Sequence, residues 1–214
     1  MANLDQLYDA VVRGDDDVAR DITAQALADG VDALTLIDQY MSPAMAEVGR
    51  RFEACEYFVP ELLLSARAMK AGLELVRPVL AAQGAEPAGR VAIGTVEGDL
   101  HDIGKKLVSA MLEGAGFQVV DLGVNVKPEA FVEAVREKDV NVLCMSALLT
   151  TTMLAMRRAI EALDQAGLRD RVKILVGGAP VTPQFAAEIG ADASGENAVE
   201  AVAATRKVLG LADA

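Results

Sequence analysis

The sequence has no tryptophan, and its aromatic side chains come to three tyrosines and five phenylalanines. With so few rings, the core has to be assembled from Ala, Leu, Val, Ile and the eight methionines. Clustered cations are missing as well: 20 Lys and Arg stand against 32 Asp and Glu, a net charge of −12. Phosphate backbones are held by clustered Lys and Arg, so the acidity argues against nucleic-acid binding. No apolar run approaches the length of a bilayer span, which argues against a membrane protein. The opening residues MANLDQLYDAVVRGDDD hold neither a signal-peptide core nor the basic pattern of a transit peptide, and a cytoplasmic protein is expected. The two cysteines, Cys55 and Cys144, lie far apart in sequence and form no metal-binding pair.

What is present is a globular mixture, 52% hydrophobic and 24% charged over 214 residues, enough for one large domain or two small ones. Residues 1–83 carry helical periodicity only. Asn3 and Asp15 stand where N-caps belong, with Gln6 three residues after Asn3 as in a capping box. Leu4, Leu7, Tyr8, Val11 and Val12 then recur at helical spacing. A second helix is expected over 16–29, and a third from about Asp32 with a kink or break at Pro43. A fourth starts near Pro60 and carries Leu62, Leu63, Leu64, Ala66, Met69, Leu73 and Val76. Four such amphipathic helices make a small bundle.

The stretch around residues 84–89, Gly-Ala-Glu-Pro-Ala-Gly, reads as a linker. From residue 90 to 214 short apolar strands alternate with helices. Strands are expected at 90–96, 117–122, 140–147, 172–176 and 191–193, and helices at 105–113, 128–138, 151–166, 183–189 and 198–209. Strands apolar throughout mean a parallel sheet covered on both faces. Five such units predict an α/β doubly wound, Rossmann-type sheet of flavodoxin-like order. The bundle is the more acidic part: residues 1–88 hold fifteen acids and seven bases, against seventeen and thirteen in 89–214.

Ligands of open α/β sheets bind outside the carboxyl ends of the strands. The loop after the first strand contains the only histidine of the chain, His101, between Asp99 and Asp102. Gly104-Lys105 is a poor match to a Walker phosphate loop, since Lys106 stands where a Ser or Thr would bind magnesium. No G-x-G-x-x-G follows the strand, which removes a dinucleotide site. One histidine cannot close a zinc site by itself. A lone ligating histidine makes sense where something else, such as a macrocycle, supplies the other ligands. Asp99 is then placed to accept from Nδ1 and leave Nε2 for a metal. Position alone leaves open a solvated loop histidine beside a helix-capping aspartate.

Asp99-x-His101-x-x-Gly104 resembles the D-x-H-x-x-G signature of cobalamin-binding domains. The longer GDLHDIGKKLV is similar to the version in methionine synthase and in corrinoid proteins of methyltransferase systems. Asp121-Leu122-Gly123-Val124, Ser146-Ala147-Leu148 with Thr150, and Gly177-Gly178 resemble further motifs of that family, in order. The segment Tyr57–Ala66 resembles the helical bundle that caps the corrinoid in methyl carriers. The resemblance thus covers essentially the whole chain, as a helical cap at 1–83, a linker at 84–89 and a cobalamin-binding α/β domain at 90–214. One departure is visible: the family's Gly-Tyr pair near the last strand is replaced by Ala193-Ser194 before Gly195.

The resemblance implies a cobalamin cofactor with His101 as the cobalt ligand (base-off, His-on) and Asp99 tuning it, with Thr152 in place of the serine that extends this relay in methionine synthase. It implies that Gly98, Leu100, Asp102, Ile103 and Gly104 line the loop beneath the corrin. Ser146 and Thr150 would meet the displaced base, with Leu148 of the same motif also binding the cofactor, and Gly177 and Gly178 would leave room for the nucleotide tail. Tyr57, Phe58, Pro60, Leu63, Leu64 and Met69 are candidates to cover the upper corrin face, with the linker as hinge. The implied function is a methyl carrier, not active alone. It would serve a substrate-specific methyltransferase and an acceptor methyltransferase using tetrahydrofolate or a thiol, with a reductive activation protein as a further partner. A cobalamin-dependent mutase subunit and a cobalamin-sensing regulator are the alternatives.

Overall fold

The structure, a computed structural model, describes residues 3–83 and 88–211. Residues 84–87, most of the expected linker, lie outside the described residues. The chain forms two compact units that divide between Pro87 and Ala88, with Glu113–Gly116 grouped with the first.

The first unit is helical: α1 (Leu4–Arg13), α2 (Asp16–Ala28), α3 (Ala33–Leu36), α4 (Ser42–Glu53) and α5 (Val59–Ala82). Asp15 and Asp32 cap α2 and α3 by accepting from the N–H groups of Val18 and Thr35. Asn3 occupies the N-cap position of α1, but its side chain makes no capping bond, so the expected capping box does not form. The expected interruption at Pro43 takes a specific form. Residues Ile37–Met41 make a π-helical turn between α3 and α4, with the Ser42 N–H bonded to the Ile37 carbonyl. A proline ring clashes with the carbonyl four residues before it, and the wider turn accommodates the ring without ending the helical path.

Leu7, Val11, Leu36, Met41, Val48, Leu62, Met69, Leu73 and Val76 are buried. The hydroxyls of Tyr57 and Ser65 both donate to the Val12 carbonyl near the end of α1 (3.2 and 3.0 Å), which satisfies an oxygen the helix leaves open. Phe58, Val59, Leu63 and Leu64 are exposed, whereas Met69 is fully buried in the helical unit. Met69 is therefore a core residue and does not belong with the expected surface set. Cys55 is exposed and holds a left-handed φ of 57°. Replacing Cys55 with Gly is expected to relieve that strain and raise stability by about 0.5–1 kcal/mol, measured by urea denaturation.

The second unit contains β1 (Arg90–Thr95), α6 (Ile103–Gly114), β2 (Gln118–Asp121), α7 (Pro128–Glu137), β3 (Val142–Ser146), α8 (Met153–Gln165), β4 (Lys173–Gly177), α9 (Pro183–Glu188), β5 (Ala193–Gly195) and α10 (Ala198–Val208). All four strand pairs are parallel, in the order β2-β1-β3-β4-β5, so this is the doubly wound, flavodoxin-like sheet. The differences from expectation are at element ends: β5 sits two residues later, and a short 3-10 turn at Arg169–Arg171 precedes β4. Ala92, Leu143, Met145, Ile174 and Val176 pack with Phe131, Val135, Met156, Ile160 and Leu163 in the main core. Cys144 is buried in β3, and burial pushes its thiol up to about 12. Among the described residues, no helix is long and apolar enough to cross a membrane.

Register decides what the carboxyl edge of the sheet presents. Thr95 pairs with Ser146, Ser146 with Gly177, and Gly177 with Gly195, so these four residues form one row. The order 2-1-3 puts the topological switch between β1 and β3, the place where open α/β sheets bind ligands at the carboxyl ends of their strands.

Candidate functional site

After β1 the chain turns at Val96–Asp99, closed by the Asp99 N–H on the Val96 carbonyl (3.1 Å). Gly98 has φ 83° in this turn, a conformation that favours glycine. The turn is held from the loop after β2. Asn125, itself at φ 53°, accepts from the Gly98 N–H through Oδ1 (2.8 Å) and donates its own N–H to the Asp99 carbonyl (3.0 Å).

The turn delivers Asp99 to a fully buried position. Its Oδ1 accepts from the His101 backbone N–H (3.0 Å) and lies 2.7 Å from His101 Nδ1. Its Oδ2 accepts from the N–H groups of Leu148 (2.8 Å) and Leu149 (3.3 Å) and from the Thr152 hydroxyl (2.7 Å). Burial opposes the charge of Asp99. The bonds from Thr152, His101 and Leu148 outweigh it and hold the carboxyl well below the usual carboxylate range. An ionised carboxylate only accepts, so in the neutral imidazole the His101 proton sits on Nδ1 and the lone pair on Nε2. The His101 side chain is 52% exposed, and Nε2 has no hydrogen bond among the described residues.

Thr152 does more than supply a hydroxyl. Its Oγ1 is also 2.9 Å from the Leu149 carbonyl, and its methyl sits 3.6 Å from where a Cβ on Gly98 would stand. The β-branched side chain is thereby locked in one orientation beneath the turn. Asp102 points elsewhere: it pairs with Lys106, which lowers its carboxyl, and it makes no bond to His101. Lys105 is buried and pairs with Asp121 at the end of β2, which removes it from any phosphate role. Exposed apolar side chains stand on the same two loops as the imidazole. Leu100 and Ile103 are 71% and 82% exposed, and Leu148 and Leu149 lie half in solvent. A Cβ on Gly104 would meet nothing within 4 Å.

The expected site residues therefore converge. Gly98, Asp99, Leu100, His101, Ile103 and Gly104 lie on the loop after β1 and the start of α6. Ser146, Leu148, Thr150 and Thr152 lie on the end of β3 and the loop after it, joined to the first loop at Asp99 and by the Val96 N–H on the Ser146 carbonyl. The Ser146 and Thr150 side chains make no hydrogen bond among the described residues. Gly177 and Gly178 lie at the end of β4, and Gly178 has φ 130°. A Cβ there would stand 1.9 Å from the Ala147 carbonyl oxygen, so the fold itself requires glycine at this position. Sequence reasoning missed Thr95, whose hydroxyl donates to the His101 carbonyl (2.9 Å), together with Asn125 and the N–H groups of Leu148 and Leu149. For Asn125 the available signal was an asparagine two residues after Gly123 in a strand-end loop, since Asn tolerates positive φ.

Among the described residues there is no group of three or more His, Cys, Asp and Glu side chains able to hold a metal. The donor set thus fits a metal whose other ligands come from a flat macrocycle: one imidazole nitrogen with its lone pair outward, oriented by a buried carboxylate, on loops that carry exposed apolar side chains. Comparison with known proteins agrees. Residues 89–203 match the B12 binding domain family, and residues 4–77 match a second family, also described as a B12 binding domain. The chain is 44% identical over 203 residues to trimethylamine corrinoid protein 1 of Methanosarcina acetivorans, covering 94% of each chain. Its fold is similar to the crystal structure of a cobalamin-binding protein from Desulfitobacterium hafniense, with TM-score 0.80 and 30% identity over 97% of this chain and 98% of that one. It is also similar to a chain of the methanol:cobalamin methyltransferase complex of Methanosarcina barkeri, with TM-score 0.83 and 30% identity over 95% of this chain and 78% of that chain. The chain belongs to the B12-binding corrinoid proteins of methyltransferase systems, and its cofactor is a corrinoid.

Proposed function

We propose that this chain is a methyl carrier that binds its corrinoid base-off, with Nε2 of His101 as the lower ligand of cobalt. When bound, the corrinoid supplies a cobalt centre able to accept and release a methyl group. The observation that carries the reading is the Asp99–His101 pair: a buried carboxylate fixes the Nδ1–H tautomer and leaves Nε2 without a partner among the described residues. Asp99 and Thr152 are positioning residues in it, and Thr152 orients Asp99 from the far side. Gly98, Leu100, Asp102, Ile103 and Gly104 line the corrin from below, and Ser146, Leu148, Thr150, Gly177 and Gly178 take the nucleotide. Functionally the chain divides into a helical cap at 1–83, a linker at 84–89 and a corrinoid domain at 90–214.

A methyltransferase is the partner, and the similarity to a trimethylamine corrinoid protein favours a methylated amine as methyl donor. A second methyltransferase, with tetrahydrofolate or a thiol as acceptor, removes the methyl group, and a reductive activation protein restores the carrier. All of this belongs in the cytoplasm.

The test is the absorbance spectrum after incubation with hydroxocobalamin and desalting, with His101→Ala alongside. Wild-type protein is expected to retain about one corrinoid per chain, with a base-off spectrum whose axial-ligand band disappears in His101→Ala. Retention with an identical spectrum in both proteins overturns the ligand assignment. Absence of retention by the wild type overturns the corrinoid reading for this chain.

A further inference from the structure

Three polar groups of His101 are tied down. Its N–H and Nδ1 both address Asp99 Oδ1, at 3.0 and 2.7 Å, so these two tethers converge on a single atom. Two bonds to one point leave the residue free to swing about that point. The third tether removes this freedom: the His101 carbonyl accepts from the hydroxyl of Thr95 at 2.9 Å.

Thr95 is built to hold still. It is fully buried at the last position of β1. Its N–H donates to the Gly123 carbonyl (3.0 Å) and its carbonyl accepts from the Val126 N–H (2.9 Å), while Ser146 is its register partner on the other side. Its β-branched side chain has little rotamer freedom, and its one hydroxyl proton is directed at His101. The loop from Val96 to His101 thus leaves the sheet at Thr95 and is pinned back to the same residue.

We infer that Thr95 is a positioning residue for His101, aiming the imidazole through the His101 backbone carbonyl. The importance of this aim for cobalt ligation rests on the function proposed above. The geometric claim does not. Without the hydroxyl, the loop relaxes and Nδ1 no longer meets Asp99 squarely, so the Nδ1–H tautomer loses its advantage.

His101 is the only histidine in the chain, so its imidazole nitrogens give an unambiguous 15N NMR signature in full-length, corrinoid-free protein. The variants are Thr95→Val, which keeps the shape and removes the hydroxyl, and Thr95→Ser, which restores the hydroxyl. At a pH where the imidazole is neutral, the ratio of Nε2–H to Nδ1–H tautomer is expected to rise about fivefold in Thr95→Val, the scale of one lost hydrogen bond. Thr95→Ser is expected to keep the wild-type ratio. A wild-type ratio in Thr95→Val overturns the inference, even if its melting midpoint falls, because that marks a purely structural hydroxyl. A Thr95→Ser variant that behaves like Thr95→Val overturns it too. Should Thr95→Val not fold, Thr95→Ala carries the same comparison. The measurement involves no corrinoid, so failure of hydroxocobalamin retention and failure of this inference are read separately.

Discussion

Asp99→Asn is expected to lower the stability of the protein by about 2–4 kcal/mol, because every hydrogen bond to this fully buried side chain comes from a donor. An amide puts an NH2 where one carboxylate oxygen stood, and either orientation sets donors against donors. On one side, Thr152 can turn its proton to the Leu149 carbonyl at 2.9 Å and so escape. The N–H groups of Leu148 and Leu149 cannot turn, nor can the His101 N–H. The melting midpoint is expected to fall by roughly 5–15 °C.

The pH dependence follows from the same pair. The folded carboxyl of Asp99 is depressed, so the stability it contributes is fully present above its unfolded value of about 4. That contribution is lost as the pH falls through the lower folded value. Wild type and Asp99→Asn should therefore differ by a constant amount from neutral pH down to about pH 4, and converge in stronger acid. Urea titrations across that range measure it. A difference that does not shrink as the pH falls below about 4 would show that the Asp99 carboxyl is not depressed.

Gly178→Ala is expected to cost about 3 kcal/mol or more, or to prevent folding of the α/β unit. The added Cβ would stand 1.9 Å from the Ala147 carbonyl oxygen and 2.9 Å from its carbon, and the backbone sits at φ 130°. The three nearest atoms all belong to the Ala147 backbone, so no flexible side chain can move aside. Gly104→Ala is the control. Nothing lies within 4 Å of its Cβ, and alanine is the better residue inside a helix, so stability is expected to hold or to rise by up to about 1 kcal/mol. Gly104 belongs to the lining proposed beneath the corrin, and hydroxocobalamin retention by Gly104→Ala is expected to fall severalfold. The pair separates a glycine required by the fold from one proposed to line the corrin. Equal thermal midpoints for the two variants would contradict the first half, and undiminished retention by Gly104→Ala the second.

Much of the fold was legible because local periodicity is set by local geometry. Val142–Ser146 reads as a buried strand from five consecutive small and apolar residues, and α7 announces itself with Pro128 at its start. The break at Pro43 was also legible, but its form was not: whether a proline ends a helix or is absorbed by a π turn depends on how the flanking turns pack. The α5 segment shows a sharper limit. Leu62, Leu63 and Leu64 are chemically identical, and only packing buries the first and exposes the other two. Asn3 stands at a cap position with the right chemistry, yet its side chain makes no bond.

The site divides along the same line. Asp99, His101 and Gly104 were readable together because they fall within six consecutive positions and resemble a family signature; position alone left a solvated loop histidine open. Thr95 was within reach of the same loop but gave no signal, since a threonine ending a strand is common and the direction of its hydroxyl is not written in the pattern. By itself, the sequence determined the types of element, the change from helical to alternating grammar near residue 88, and the position of the one histidine, His101, that is proposed as the ligand. Only the tertiary structure decided what holds that side chain. The parallel pairing of β1 with β3 sets Thr95 beside Ser146 and so brings Leu148, Leu149 and Thr152, at sequence separations of 49, 50 and 53, onto the Asp99 carboxylate. A charge can stay buried only where enough donors point at it, and donors so distant along the chain are gathered by strand register alone.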